Sequence, residues 1–221
     1  MSYDPYDDAL GDIADQVMKD RSIDGSRYYL GTFGDAVEER INLTLCQSRE
    51  LLNHGFPSAA LVLASTAIEL LIRFMLVRPL VQGAFLSDEW ADLLANRIGA
   101  GRTDEDRKIL PLLLKQWDLD INGVLLPGNK RLWDAITKIV LPKRHKIVHT
   151  GATASAEEAA LALACVDALI AEILHPLAKS LGFTLTTTGK WCQIHGKNEY
   201  SNGESSQWWS SFTPQSPFED A

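Results

Sequence analysis

The residues Lys143-Arg144-His145-Lys146-Ile147-Val148-His149-Thr150-Gly151 form a cation-rich stretch in an otherwise acidic chain. Lys143, Arg144 and Lys146 are charged at neutral pH, and the imidazoles of His145 and His149 titrate near ~6.5. Four residues separate Arg144 from His149, and a polar residue directly follows the arginine. A guanidinium binds phosphate bidentately and never loses its charge. An imidazole near its pKa does proton work. Together these groups suit metal-free scission of an RNA phosphodiester by its own 2′-OH, which needs a base, an acid and a cation on the phosphorane. Positions five apart on a helix lie about 140° apart. Both side chains therefore reach one phosphate only at a frayed helix end or where two copies face each other. The competing reading is a solvated basic run whose charge favours a helix C-terminus.

Other chemistries are less complete. His145 and His149 share a helix face and make half of a zinc geometry, with no third ligand in sight. Cys192-Gln-Ile-His195 is another half-site. There is no Gly-rich phosphate loop at a strand–helix junction, no G-x-S-x-G elbow and no H-E-x-x-H. The sequence thus calls for no metal and no cofactor. A second polar feature lies in the apolar run from Pro57 to Val77, where Ser65, Glu69 and Arg73 recur every four residues beside Thr66. A buried charge needs a partner. Glu69 and Arg73 could pair along one exposed edge, or the stripe could face a polar site.

Composition sets the frame for these groups. One domain plus tails is expected from 221 residues, and a hydrophobic share of 46% is enough for a core. A net charge of -8 means that any polyanion must meet a local patch. Three scattered cysteines, Cys46, Cys165 and Cys192, fit a reducing, cytoplasmic setting. The first residues lack the basic and apolar regions of a signal peptide. The long apolar run carries Glu69 and Arg73 and reads as a core helix, not a membrane span.

The elements that must position the cations are helical. Residues 1–34 are acidic and Gly-punctuated, and read as a loosely packed arm or plain disorder. A helix is predicted from about Asp35 to Asn53, with Val37, Ile41, Leu45 and Leu52 on one stripe and His54-Gly55 as its stop. A second, apolar nearly all round, starts with Pro57 in its first turn and runs to Val77. Residues 79–125 read as an insertion of two short helices, one capped by Ser87 and one by Thr103 with Pro111 inside it. Leu132, Trp133, Ile136, Ile139 and Val140 have helical spacing, and Pro142 either kinks this helix or starts the turn that carries Lys143 to His149. Ser155 with Glu158 makes a capping box that opens a long helix to about Leu181, bent at Pro176. Residues 183–221 change character: short strands around a Gly turn, then a Ser-rich tail with Trp208, Trp209 and Phe212.

Arg144, a polar residue, and His149 followed by Thr150-Gly151 resemble the motif of the HEPN superfamily of helical ribonucleases. Ala67-Ile68-Glu69-Leu70-Leu71 is similar to the second helix of several HEPN branches. The resemblance spans residues 35–182 in order of elements. It implies an all-α, up-and-down four-helix bundle, here with short inserted helices and a non-helical C-terminal tail. It also implies a metal-independent endoribonuclease of a toxin–antitoxin, abortive-infection or other defence system. Such proteins dimerise so that two motifs form one cleft, and some members are non-catalytic modules that bind protein or nucleotide. The residues implied are Arg144, His149 and His145 as catalytic, Glu69, Arg73 and Ser65 as support, and Lys143 and Lys146 as RNA contacts. The partners implied are RNA, a second copy, and an antitoxin or other defence protein. His145 stands where Asn or Asp is frequent in the family, and Pro142 lies just upstream.

Overall fold

Three of the long helices carry a proline well inside them, and each solves the same geometric problem in the same way. The computed structural model describes the backbone of residues 5–82, 106–185 and 191–193, with side chains described for 23–80 and 107–183. Helix α1 is Pro5–Asn53. Helix α2 is continuous through Pro57–Leu70, a π-helical stretch Leu71–Val77, and Arg78–Gln82. Helix α3 is Asp106–Lys115. Helix α4 joins Leu132–Asp134, the π-helical Ala135–Val140 and Leu141–Thr150. Helix α5 joins Ala156–Ala168, the π-helical Leu169–Leu174 and His175–Ser180. A proline has no N–H and its ring collides with the carbonyl four residues back. In α2, α4 and α5 the residue just before the proline donates five residues back instead: Arg78 to Arg73, Leu141 to Ile136 and His175 to Ile170. The wider turn makes room for Pro79, Pro142 and Pro176 without ending the helix. Pro142 thus neither breaks α4 nor starts a separate turn.

Side-chain ties fix how the helices run. Ser26 Oγ donates to the Pro79 carbonyl at 2.8 Å and Ser48 Oγ to that of Ala60 at 2.7 Å, so α1 and α2 are antiparallel. Arg49 pairs with Asp167 at 2.6 Å and Arg27 Nε donates to the Leu181 carbonyl at 2.8 Å, so α5 runs antiparallel to α1. The Ala154 N–H reaches Ser58 Oγ at 2.8 Å, and α4 lies along α2 in the opposite sense. The fold is mostly helical around one core, in which Leu61, Ile68, Leu71, Met75, Ile136, Val166 and Leu169 are all but inaccessible. Helices α2 and α5 are long and apolar enough to cross a membrane by length and composition, and 67% of the α2 window is buried inside the protein.

The largest difference from the sequence reading is α1. Its helix begins at Pro5, not near Asp35, and residues 23–34 are no loose arm. Ser26, Tyr29 and Leu30 are buried, and Tyr29 packs on Phe33 with ring centroids 5.2 Å apart. Gly31 does not interrupt the helix, and α1 stops instead at Gly55, whose φ is 80. There the Phe56 N–H reaches the Leu51 carbonyl at 2.9 Å and the Gly55 N–H that of Leu52 at 3.0 Å, a Schellman stop.

Between the long helices, α3 keeps Pro111 inside it and buries Leu110 and Leu114. The Trp133 indole N–H ties it to α4 through the Arg107 carbonyl at 2.8 Å. The predicted Ser87 helix and the Thr103 cap fall outside the described residues. Strands β1 (Leu125–Leu126) and β2 (Lys130–Arg131) form a small antiparallel hairpin around Pro127, Gly128 and Asn129. After α5, β3 (Phe183–Leu185) pairs antiparallel with β4 (Trp191–Gln193). Phe183 is buried in the core, so the C-terminal appendage begins as part of it. The tail with Trp208 and Trp209 lies outside the described residues.

Candidate functional site

The basic stretch is the last ten residues of α4, Leu141–Thr150, none of which is fully buried. The helix stays regular through His149 and Thr150. It closes on Gly151, whose φ of 67 is left-handed and whose N–H donates to the Ile147 carbonyl at 3.1 Å. Of the two sequence alternatives, the frayed end is therefore gone. Within one chain Arg144 and His149 leave a regular helix about 140° apart.

Arg144 points toward α2. Its Nη2 lies 3.7 Å from Glu69 Oε2, with both side chains about one-third exposed. That separation is an ion pair and too long for a hydrogen bond. Arg144 Nε is buried and has no acceptor among the described residues. The guanidinium is thus held in place by charge while keeping donors unspent. Burial raises the Glu69 carboxyl above its ordinary value, and the Arg144 charge opposes that rise. The pairing along the helix, Glu69 with Arg73, does not form among the described residues. Arg73 instead lies over the Phe74 ring, 4.8 Å from its centroid. Ser65 is fully buried and donates to the Leu61 carbonyl at 2.8 Å, inside its own helix.

His145 and His149 are exposed, with ring centroids 4.3 Å apart and a tilt of 47°. No third His, Cys, Asp or Glu joins them among the described residues. The other half-site cannot be placed, because His195 lies outside them. Lys146 is exposed on the same helix. Lys143 is not available in the same way. Its Nζ lies 2.8 Å from Glu158 Oε1, while Glu158 Oε2 accepts from the Ser155 N–H at 2.9 Å and Ser155 Oγ from the Glu158 N–H at 3.2 Å. The ammonium of Lys143 and the Ser155 N–H hold the Glu158 carboxyl below the usual carboxylate range. The capping box was legible in sequence, but its second use, anchoring α4 to the start of α5, was not.

No family model, curated protein or solved structure matches this chain. The chemistry must be judged on the arrangement itself. A positioned guanidinium with free donors, a pair of exposed imidazoles and Lys146 sit on one short helical segment. The guanidinium suits phosphate and the imidazoles suit proton transfer, but Arg144 and His149 of one chain face different sides of the helix and meet one phosphate only across two copies. One further acidic loop, Asp118-Leu-Asp120-Ile-Asn122-Gly123, has the spacing of a calcium loop but not its shape. Asp118, not Gly123, takes the positive φ, at 57, and Asp120 Oδ1 accepts from the Asn122 N–H at 3.0 Å.

Proposed function

We propose that the protein is a metal-independent endoribonuclease of the HEPN type, acting as a cytoplasmic homodimer in a toxin or phage-defence setting. The observation that carries this reading is the Glu69–Arg144 contact between α2 and α4, which holds the guanidinium about one-third exposed on the helical segment that also carries His145 and His149. The antiparallel succession of α1, α2, α4 and α5 supports an up-and-down four-helix bundle of that kind. The 140° offset between Arg144 and His149 is relieved when a second copy faces the first across a two-fold axis. His149 then takes the proton of the 2′-OH, the 2′-oxygen bonds to phosphorus, and Arg144 stabilises the phosphorane charge. The bond to the 5′-oxygen breaks as His149 or His145 of the second copy protonates it. Glu69 acts by aiming Arg144, and Lys146 contributes charge for the RNA backbone. An antitoxin or other defence protein is the partner class that the resemblance brings.

The test is to incubate purified protein with total RNA, with and without a chelator, and to analyse the ends. A 2′,3′-cyclic phosphate and a 5′-OH in both conditions are expected. Activity lost with chelator and restored by zinc overturns the metal-free reading in favour of a hydrolase using His145 and His149. If no RNA is cleaved, the remaining reading is a non-catalytic helical module, which the wide angle between Arg144 and His149 in a single chain would suit.

A further inference from the structure

His145 and His149 stand one turn apart on the same face of the regular end of α4. Their ring centroids are 4.3 Å apart and the rings are tilted by 47°. Both side chains are exposed, and neither imidazole has a hydrogen bond or ion pair among the described residues. Their ring nitrogens are therefore open to an outside ligand. The helix holds the spacing, because α4 closes only beyond the pair, where the Gly151 N–H is bonded to the Ile147 carbonyl at 3.1 Å.

That spacing points to the kind of ligand. A late first-row metal ion sits about 2.0–2.1 Å from an imidazole nitrogen, hence about 3.2 Å from the ring centroid. Two imidazoles at right angles about one ion then have centroids about 4.5 Å apart, against about 5.2 Å at a tetrahedral angle. The observed 4.3 Å is close to the first value. Nitrogen ligands at right angles are the geometry of Ni²⁺ and Cu²⁺. The surroundings narrow the class further. One turn before the pair stand Leu141 and Pro142, which ligate nothing. Thr150 Oγ is bonded to the Lys146 carbonyl at 2.7 Å. No third His, Cys, Asp or Glu joins the pair among the described residues. Hard ions such as Mg²⁺ and Ca²⁺ need carboxylate or carbonyl oxygens, and this face offers none of the carboxylates. Lys143 is drawn away to Glu158 at 2.8 Å and Arg144 to Glu69 at 3.7 Å. Lys146 stays exposed beside the pair, which favours an ion held by coordinate bonds over one held by charge.

We propose that His145 and His149 chelate one late first-row divalent ion of the Ni²⁺ or Cu²⁺ type, with water in its remaining positions. The site binds the ion without using it for catalysis. A consequence rests on the ribonuclease reading: the bound ion occupies the imidazole lone pairs that proton transfer needs, so it silences cleavage.

The test is calorimetric titration of the full-length, tag-free, metal-stripped protein with NiCl₂, ZnCl₂ and MgCl₂. Ni²⁺ should bind and Mg²⁺ should not. His145→Ala and His149→Ala should each weaken Ni²⁺ binding about 100-fold or more, since a single imidazole cannot chelate. Both variants should melt as the wild type does, because the side chains are exposed. His175→Ala, exposed on α5, should bind Ni²⁺ like the wild type. No Ni²⁺ binding, unchanged affinity in either variant of the pair, or an equal loss in His175→Ala overturns the proposal. Zn²⁺ bound far more tightly than Ni²⁺ would mean a closed tetrahedral site with further ligands, and also overturns it. The cleavage arm is separate. Ni²⁺ should stop RNA cleavage over the concentration range in which it fills the site, and cleavage that rises with Ni²⁺ overturns the non-catalytic assignment. A protein that cuts no RNA at all removes the ribonuclease reading, while the titration still decides the metal site.

Discussion

Replacing Glu69 by Gln separates a positioning role from a structural one, because the structure sets opposite expectations for the two. Gln keeps the shape and removes the charge. At 3.7 Å the pair with Arg144 is electrostatic, so Gln cannot hold the guanidinium as Glu does. Both partners are about one-third exposed, and pairs of that kind contribute about 0–1 kcal/mol. For Glu69 the burial cost exceeds the attraction, since its pKa is raised and not lowered. A raised carboxyl means that the folded state binds more protons than the unfolded state above the ordinary value of 4.5. Ionised Glu69 therefore costs stability as pH climbs through its folded pKa, and the cost is absent below the unfolded value. At pH 7 Glu69→Gln should then change stability by less than about 1 kcal/mol, or about 2–4 °C in Tm for a chain of this size. Relative to the wild type, Gln should gain as pH rises. Cleavage should fall by about 10²-fold, the cost of misplacing a positioned group by about 1 Å. Thermal melts from pH 4 to 8 and cleavage of a labelled RNA, on the same preparation, measure both. A mutant that melts well below the wild type at pH 7 yet keeps its specific activity would falsify the positioning role.

Three further outcomes follow from the same geometry. His149→Ala should lose about 10²-fold or more in cleavage, with stability within about 0.5 kcal/mol because the side chain is exposed; a full-strength enzyme removes His149 from the mechanism. Lys146→Ala should reduce the salt dependence of RNA binding by about one charge, whereas Lys143→Ala should leave it unchanged because that ammonium is held by Glu158; equal slopes for the two mutants contradict the assignment. Gly151→Ala should cost about 1 kcal/mol through its left-handed φ alone, since nothing lies within 4 Å of the added carbon; a Tm equal to wild type means that the helix ends differently in solution.

Much of the frame was legible because its signals are local. Pro57 in a first turn, the Ser155–Glu158 box and Gly151 as a stop each act within a few residues and appear where the sequence placed them. The N-terminal half of α1 departs from the sequence expectation, although its signal is present. Tyr29, Phe33, Val37, Ile41 and Leu45 continue one stripe upstream of Asp35, and the glycines among them do not break it. A glycine in a helix costs only about 1 kcal/mol, which packing of Tyr29 and Leu30 readily outweighs. The π turns had no sequence signature beyond the prolines that follow them. They shift the register, so Ile139, read as part of an apolar face, is 38% exposed while Ile136 and Val140 are buried. The choice of Arg144 over Arg73 as partner of Glu69 depended on how α4 lies against α2, which no local spacing encodes.

The π turn in α4 has a consequence for how the site moves. It divides one helix into a half that is locked in the core, Leu132–Val140, and a half with no fully buried residue, Leu141–Thr150. The amide of Pro142 is missing at the joint, so the ladder of backbone bonds is already thin there. Amide hydrogen exchange should then be graded along a single helix. Leu132–Val140 should exchange only with global unfolding, and Leu141–Thr150 should open as a unit at lower free energy. Arg144 and His149 ride on the segment that opens first, held to the rest of the protein by Glu69 and Glu158. Anything that clasps that segment from outside, whether RNA or a second copy, should slow its exchange while leaving the buried half as it was.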